Sequence, residues 1–135
     1  MKYSDIRVLV VDDMHAMRTI LKALLRNMGI DKVVEASDGA MALEILRETK
    51  IDIILSDWNM PRMTGIELLQ EVRQDPRLKE LPFVMISAEA TGENIAQAIQ
   101  LQVSQYLIKP ITADQLEEKV HMILRLTNTA NQAAA

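Results

Sequence analysis

The stretch Val8-Leu9-Val10-Val11-Asp12-Asp13 decides how the chain is to be read. Its first four residues are apolar without alternation, the pattern of a strand covered on both faces, and an acidic pair ends it abruptly. Immediately downstream Met17, Ile20, Leu21, Leu24, Leu25 and Met28 recur at the spacing of an amphipathic helix, and Gly29 sits where a left-handed C-terminal cap belongs. Strand, polar turn and helix then repeat along the chain. Lys32 to Ala36 reads as a second strand. Ser37-Asp38-Gly39 opens a helix with Ala42, Leu43, Ile45 and Leu46 inward. Ile51 to Leu55 is a third strand with Asp57 just past its end. Thr64 and Glu67 have capping-box spacing at the start of a third helix, and Pro76 and Pro82 punctuate its exit. Phe83 to Ile86 is a fourth strand ending at Ser87. Glu93 to Leu101 is a short helix with Ile95, Ala98 and Ile99 on one face, and Tyr106 to Ile108 is a fifth strand. Thr112 and Gln115 form a second capping box, Ile111 and Leu116 have hydrophobic-staple spacing, and Leu116, Val120, Ile123 and Leu124 face inward from the last helix.

Strands separated by helices must run parallel with right-handed crossovers, so an α/β fold is expected: a five-stranded parallel sheet, doubly wound, with helices on both faces. The interior has to be aliphatic, because only 3% of residues are aromatic while the hydrophobic share is 49%. At 135 residues the chain has room for one core and no second module. Residues 127–135 carry no periodic signal and are expected to be a disordered or frayed tail.

Composition removes several functions. The absence of Cys excludes disulfides, thiolate metal sites and cysteine nucleophiles, and with no signal-peptide pattern at the N-terminus it points to the cytoplasm. A net charge of −4 gives no footprint for nucleic acid. No apolar run approaches the ~20 residues that span a bilayer, since Asp52 and Asp57 interrupt the longest candidate, so no membrane insertion is expected.

In an open parallel sheet, ligands bind beyond the carboxyl ends of the strands. Four strands end there in a polar residue: Asp12 and Asp13, Asp57, Ser87 and Lys109. Singly, each has an ordinary explanation as a turn residue, helix cap or solvated charge. Their conjunction at one edge does not. Carboxylates converging there would repel by roughly 4 kcal/mol per pair at ~4 Å and an effective dielectric near 20. Lys109 can offset one charge, and a hard divalent ion such as Mg2+, which takes oxygen ligands, can offset the remainder. Asp57 is then a candidate nucleophile toward a phosphoryl group, with the Ser87 hydroxyl and Lys109 ammonium placed to bind its oxygens. His15 and His121 read as surface residues and Met60 and Met63 as loop packing.

With these residues in view, the sequence resembles receiver domains of the bacterial response-regulator family, in particular the single-domain chemotaxis regulators. The resemblance covers about residues 5 to 125 and rests on Val-Val-Asp-Asp at 10 to 13, Ser-Asp-Trp-Asn-Met-Pro at 56 to 61, Ser-Ala-Glu-Ala at 87 to 90 and Tyr-Leu-Ile-Lys-Pro at 106 to 110. It implies a flavodoxin-like strand order 2-1-3-4-5, a receiver over residues 1–126, and a protein that catalyses its own phosphorylation and dephosphorylation without a separate substrate. By that resemblance Asp57 accepts the phosphoryl group from a histidine kinase, while Asp12, Asp13, Asp57 and the Asn59 backbone carbonyl hold Mg2+. Ser87 and Lys109 would bind the phosphoryl oxygens, and Lys109-Pro110 would be a cis bond. Ser87 and Tyr106 would be the moving switch pair, and Asn59 and Glu89 would favour fast self-dephosphorylation. Trp58 has no expected role in chemistry but is a natural reporter.

The implied output is binding of another protein by a monomer, through a face including Ala90, Ile95, Tyr106 and Lys119, with the flagellar motor switch as the expected partner. Departures fall near that face. Met14 and Ile111 stand where chemotaxis members usually have Phe, Gln102 and Gln105 where Gly is common, and Met122 where Lys is usual. Gln102 in a left-handed cap would cost roughly 1 kcal/mol. A phosphate sink or relay intermediate for a kinase is the alternative with the same chemistry. A flavodoxin-type electron carrier is disfavoured, because Asp-Asp-Met-His after the first strand would repel a flavin phosphate. An aspartate-dependent phosphatase is disfavoured as well, because its Asp-x-Asp spacing is missing.

Overall fold

The computed structural model describes residues 3–134, with side chains through Arg125. After a short 3-10 turn, Tyr3–Asp5, five strand-helix units follow. They are β1 (Arg7–Val11), α1 (His15–Asn27), β2 (Lys32–Ala36), α2 (Gly39–Glu48), β3 (Ile53–Ser56), α3 (Gly65–Gln74), β4 (Phe83–Ser87), α4 (Gly92–Gln100), β5 (Gln105–Ile108) and α5 (Ala113–Ala134). All strand pairs are parallel and the order is β2-β1-β3-β4-β5, as the resemblance implied. The side chains of 126–134 and the whole of residue 135 lie outside the described residues, while the backbone of 127–134, expected above as a disordered or frayed tail, continues α5.

The period of two along each strand builds two cores, one per sheet face. Val8, Val10, Ile53, Leu55, Val84, Ile86 and Leu107 point to the face covered by Leu21 and Leu25 of α1 and by Leu116, Val120, Ile123 and Leu124 of α5. The alternate residues Leu9, Val11, Ile54, Phe83 and Met85 meet α2, α3 and Ala98 of α4 on the other face. This explains the unbroken apolar runs of β1, β3 and β4.

Local signals in the sequence produce the expected ends. Both capping boxes form: Glu67 and Thr64 cap α3, and Thr112 and Gln115 exchange hydrogen bonds of 3.1 Å at α5. Ile111 packs on the cluster that contains Leu116, as the staple requires. Gly29, at φ 93°, ends α1 with its N–H on the Arg26 carbonyl while Ile30 N–H reaches that of Leu25.

Two helix positions read as inward are not. Ile20 is 51% exposed and Ile99 63%. Leu21 and Leu25 already fill the contact of α1 with the sheet, leaving Ile20 beside Met17, Pro110 and Ile111. Nine-residue α4 contacts the core through a narrow stripe centred on Ala98, with Ile95 half-buried beside it. The third strand also starts later than Ile51, because Asp52 turns its carboxylate onto Arg7 N–H at 2.8 Å and leads the chain into the sheet.

Gln102 adopts φ 64°, the left-handed cap of α4, whereas Gln105 begins β5 and carries no such strain. Arg73 compensates by gathering the surrounding carbonyls. Its guanidinium donates to Gln102 O at 3.0 Å, Leu81 O at 2.6 Å and Lys79 O at 3.2 Å, and reaches Ser104 Oγ at 3.5 Å. Since the Arg73 contact uses only the Gln102 backbone, Gln102→Gly should raise stability by about 0.5–1 kcal/mol, net of the extra unfolded-state freedom of Gly. A higher urea midpoint at unchanged slope is the expected reading.

Candidate functional site

Sheet register assembles the site. β1 and β3 are neighbours with Val11 opposite Ser56, so the next residue on each, Asp12 and Asp57, emerge side by side. These are the strands between which the winding direction reverses, where an open α/β sheet forms its crevice. β4 and β5 pair Ser87 with Ile108, which delivers Ser87 and Lys109 to the same edge.

Asp12 is 1% exposed, and its two oxygens have separate partners. Oδ1 accepts Met14 N–H at 2.9 Å, and Oδ2 pairs with Lys109 Nζ at 3.2 Å. The Asp57 N–H donates to Val11 O, which locks the acid to the end of β1. Its Oδ1 accepts Trp58 N–H at 2.8 Å and lies 3.4 Å from Lys109 Nζ. Asp13 is exposed, yet one carboxylate oxygen of each of Asp12, Asp13 and Asp57 fits within a common 4.8 Å. Lys109 thus bridges two of three carboxylates. Burial pushes the Asp57 carboxyl up from its ordinary value; Lys109 pulls it back and Asp12 pushes it up again.

Three converging carboxylates against one ammonium leave an excess of negative charge, and every side-chain donor in the cluster is a hard oxygen. That set fits Mg2+. Asp12, Asp13 and Asp57 are the residues that would hold it.

A second set of contacts ties together the chain beyond β3 and β4 with β5. Ser87 is fully buried, and its Oγ accepts Glu89 N–H at 2.9 Å. Tyr106 donates its hydroxyl to the Glu89 carbonyl at 2.6 Å. Asn59 Nδ2 donates to Glu89 Oε1 at 2.9 Å, joining the two residues that the resemblance paired by effect alone. The Lys109-Pro110 bond is cis. Ala90 is exposed, while Ile95, Tyr106 and Lys119 are half-buried. His15 is exposed, near Arg18, and His121 packs edge-on against Tyr3, so neither enters the pocket. Met60 is buried with Trp58 in the α2–α4 core.

Two residues here escaped the reading of the sequence. Arg18 donates to the Asp12 carbonyl at 2.7 Å and pairs with Glu35 of β2 at 3.1 Å, bracing the end of β1. Asn94 donates to Glu89 Oε2 at 3.3 Å. The signal for Asn94 was present, since Thr91-x-x-Asn94 repeats the Thr-x-x-Glu/Gln spacing with a shorter side chain.

Asp57 holds its proton more tightly in the native pocket than in the unfolded chain. The folded state is therefore favoured as pH falls through the raised native value, and ionised Asp57 costs stability at neutral pH. Without divalent metal, Asp57→Asn should melt above the parent at neutral pH, with the gap closing as the parent acid protonates. Added Mg2+ should narrow the gap by stabilising the parent. Thermal melts in chelator and in Mg2+ across pH check this.

A doubly wound parallel sheet with an acid cluster, a buried hydroxyl and a lysine at its carboxyl edge defines a small α/β domain with an acidic ion pocket. The response regulator receiver domain family matches residues 8–121, and the chain belongs to that family. It is 47% identical over 122 residues to the chemotaxis protein CheY of Pseudomonas aeruginosa, spanning 90% of this chain and 98% of that protein. Against chemotaxis protein CheY-3 of Vibrio cholerae it is 46% identical over 119 residues, spanning 88% and 92%. Among solved structures it is similar to CheY4 of Vibrio cholerae, with a TM-score of 0.81 at 30% identity over 87% of this chain and 98% of that one. A CheY-like receiver domain from Methanospirillum hungatei gives 0.85 at 25% identity, over 93% and 98%. Among the described residues no helix is long and apolar enough to cross a membrane.

Proposed function

We propose that the protein is a phosphorylation-dependent switch of a chemotaxis two-component system, taking a phosphoryl group onto Asp57 from a histidine kinase and signalling by binding the flagellar motor switch. Residues 1–126 form the receiver in this reading. The observation that carries it is the meeting of Asp12, Asp13, Asp57 and Lys109, with buried Ser87 delivered to the same sheet edge. The similarity to chemotaxis proteins supports the assignment of the output.

An Asp57 oxygen attacks the phosphorus of a phosphohistidine; the O–P bond forms as the P–N bond breaks, and the imidazole leaves. Lys109, 3.4 Å from Asp57 Oδ1, is placed to follow the new charge onto the phosphoryl oxygens. Asp12, Asp13 and Asp57 would hold Mg2+, which when bound would supply charge neutralisation in the pocket. When the Ser87 hydroxyl turns to the phosphoryl group, it gives up Glu89 N–H, whose carbonyl is held by Tyr106. The local charge change thereby reaches the face that carries Ala90, Ile95, Tyr106 and Lys119, a two-state element biased by modification.

The test is binding to a flagellar switch fragment, with and without Mg2+ and a small acyl phosphate. Tighter binding of the phosphorylated parent, absent in Asp57→Asn, is expected. Phosphorylation without any change in that binding, together with retention on a kinase domain, would replace the motor output with a phosphate sink.

A further inference from the structure

We infer that Asn94 is a positioning residue for Glu89 and through it sets the lifetime of the phosphorylated state; this rests on the reading of Asp57 as the phosphoacceptor. Helices α3, α4 and α5 all begin behind a threonine. In α3 and α5 the residue three places on, Glu67 or Gln115, reaches back to the threonine N–H at 3.1 Å. In α4 that place holds Asn94, one methylene shorter than Gln. Its backbone N–H is still capped by Thr91 Oγ1 at 3.2 Å, but its carboxamide turns outward from the helix and donates to Glu89 Oε2 at 3.3 Å.

Glu89 is thus held on each oxygen by a different amide, Asn59 from the loop after β3 and Asn94 from α4. Its main chain is fixed on both sides by Ser87 Oγ and the Tyr106 hydroxyl. Once Ser87 has turned to the phosphoryl group and released Glu89 N–H, the main chain alone no longer fixes the carboxylate, and the two amides decide where the charge points. Each carboxylate oxygen retains a lone pair beyond the one its amide occupies. That leaves the group able to accept a hydrogen bond from a water at the pocket mouth and so orient it. In hydrolysis that water attacks phosphorus, its O–P bond forms as the Asp57 O–P bond breaks, Asp57 is left as its carboxylate, and phosphate leaves as the dihydrogen monoanion carrying both of the water's protons. Asn94 touches none of these atoms.

Removal of one amide leaves Glu89 anchored by Asn59 alone, and decay of phospho-Asp57 should slow by about three- to tenfold in Asn94→Ala. Asn94→Asp separates positioning from helix stability. An acid in the first turn of α4 favours the helix, so this variant should melt no lower than the parent. Its charge would nevertheless repel Glu89 and lengthen the lifetime at least as much as Asn94→Ala. In a Glu89→Ala background both substitutions should lose their effect on decay.

The experiment is single-turnover loss of label from Asp57 after removal of a small acyl phosphate, with melting curves for every variant. A labelled parent whose decay is matched by both Asn94 variants, or an Asn94 effect that persists undiminished without Glu89, overturns the inference and leaves the phosphoacceptor reading intact. A folded parent that takes up no label overturns both.

Discussion

Asp57→Asn should take up no phosphoryl group from a small acyl phosphate in Mg2+, while the parent gains one phosphoryl mass. This is the largest expected effect, because the substitution removes one member of the carboxylate cluster and, in the proposed function, the attacking oxyanion with it. The fold should survive. The substitution is nearly isosteric, the Asp57 N–H to Val11 O bond belongs to the backbone, and an amide oxygen can still accept Trp58 N–H. Intact mass and Trp58 fluorescence check the two halves of the expectation, since Trp58 directly follows the acid and is buried with Met60. Label on Asp57→Asn at the parental level would place the acceptor elsewhere.

Gly65→Ala should cost more than about 3 kcal/mol and damage the pocket as well as the core. A Cβ at Gly65 would stand 2.0 Å from the Asp57 carbonyl oxygen, 2.9 Å from its carbonyl carbon and 3.1 Å from Met85 Sδ. Two of those three atoms are main chain and cannot swing aside. Gly65 N–H also donates to Trp58 O at 2.8 Å, so the first turn of α3 is drawn tightly onto the loop that carries Asp57. Relief requires moving either α3, with buried Leu68, Leu69 and Val72, or Asp57 itself. Urea denaturation should show the loss of stability. At temperatures where the variant remains folded, Mg2+ affinity read from Trp58 should fall too. An unchanged urea midpoint would mean the loop relaxes without cost.

The sequence made short-range features legible and left cross-chain ones dark. The two capping boxes, the Gly29 cap and the abrupt ends of the strands at Asp12, Asp57, Ser87 and Lys109 are written within a few residues each, and the structure has all of them. Periodicity placed Ile20 and Ile99 inward because it counts apolar spacing and cannot see how much of a helix the sheet covers. Strand order rested on resemblance alone, since no local pattern says that β3 joins the far side of β1. Arg73 and Arg18 gave no signal because their partners lie on other elements. The adjacency of Asp12 and Asp57 follows from the sequence only through the rule that such sheets gather ligands at their carboxyl edge; its cause, the Val11 to Ser56 register, belongs to the sheet.

The cradle around Arg73 gives α4 a mechanical asymmetry. Its C-terminal end is pinned, since Arg73 grips the Gln102 carbonyl and Ser104 Oγ caps Phe83 N–H at the edge of the sheet. Its N-terminal end is tied to the loop after β4 through the Asn94 to Glu89 bond. In the proposed switch, a rod held at one end and tugged at the other would pivot. Asn94 then lies at the driven end and Gln102 at the fulcrum, and exposed Ile99 sits too near the pivot to travel far. Ile95, one turn closer to the pocket, has the longer arc and is where a partner would feel the stroke.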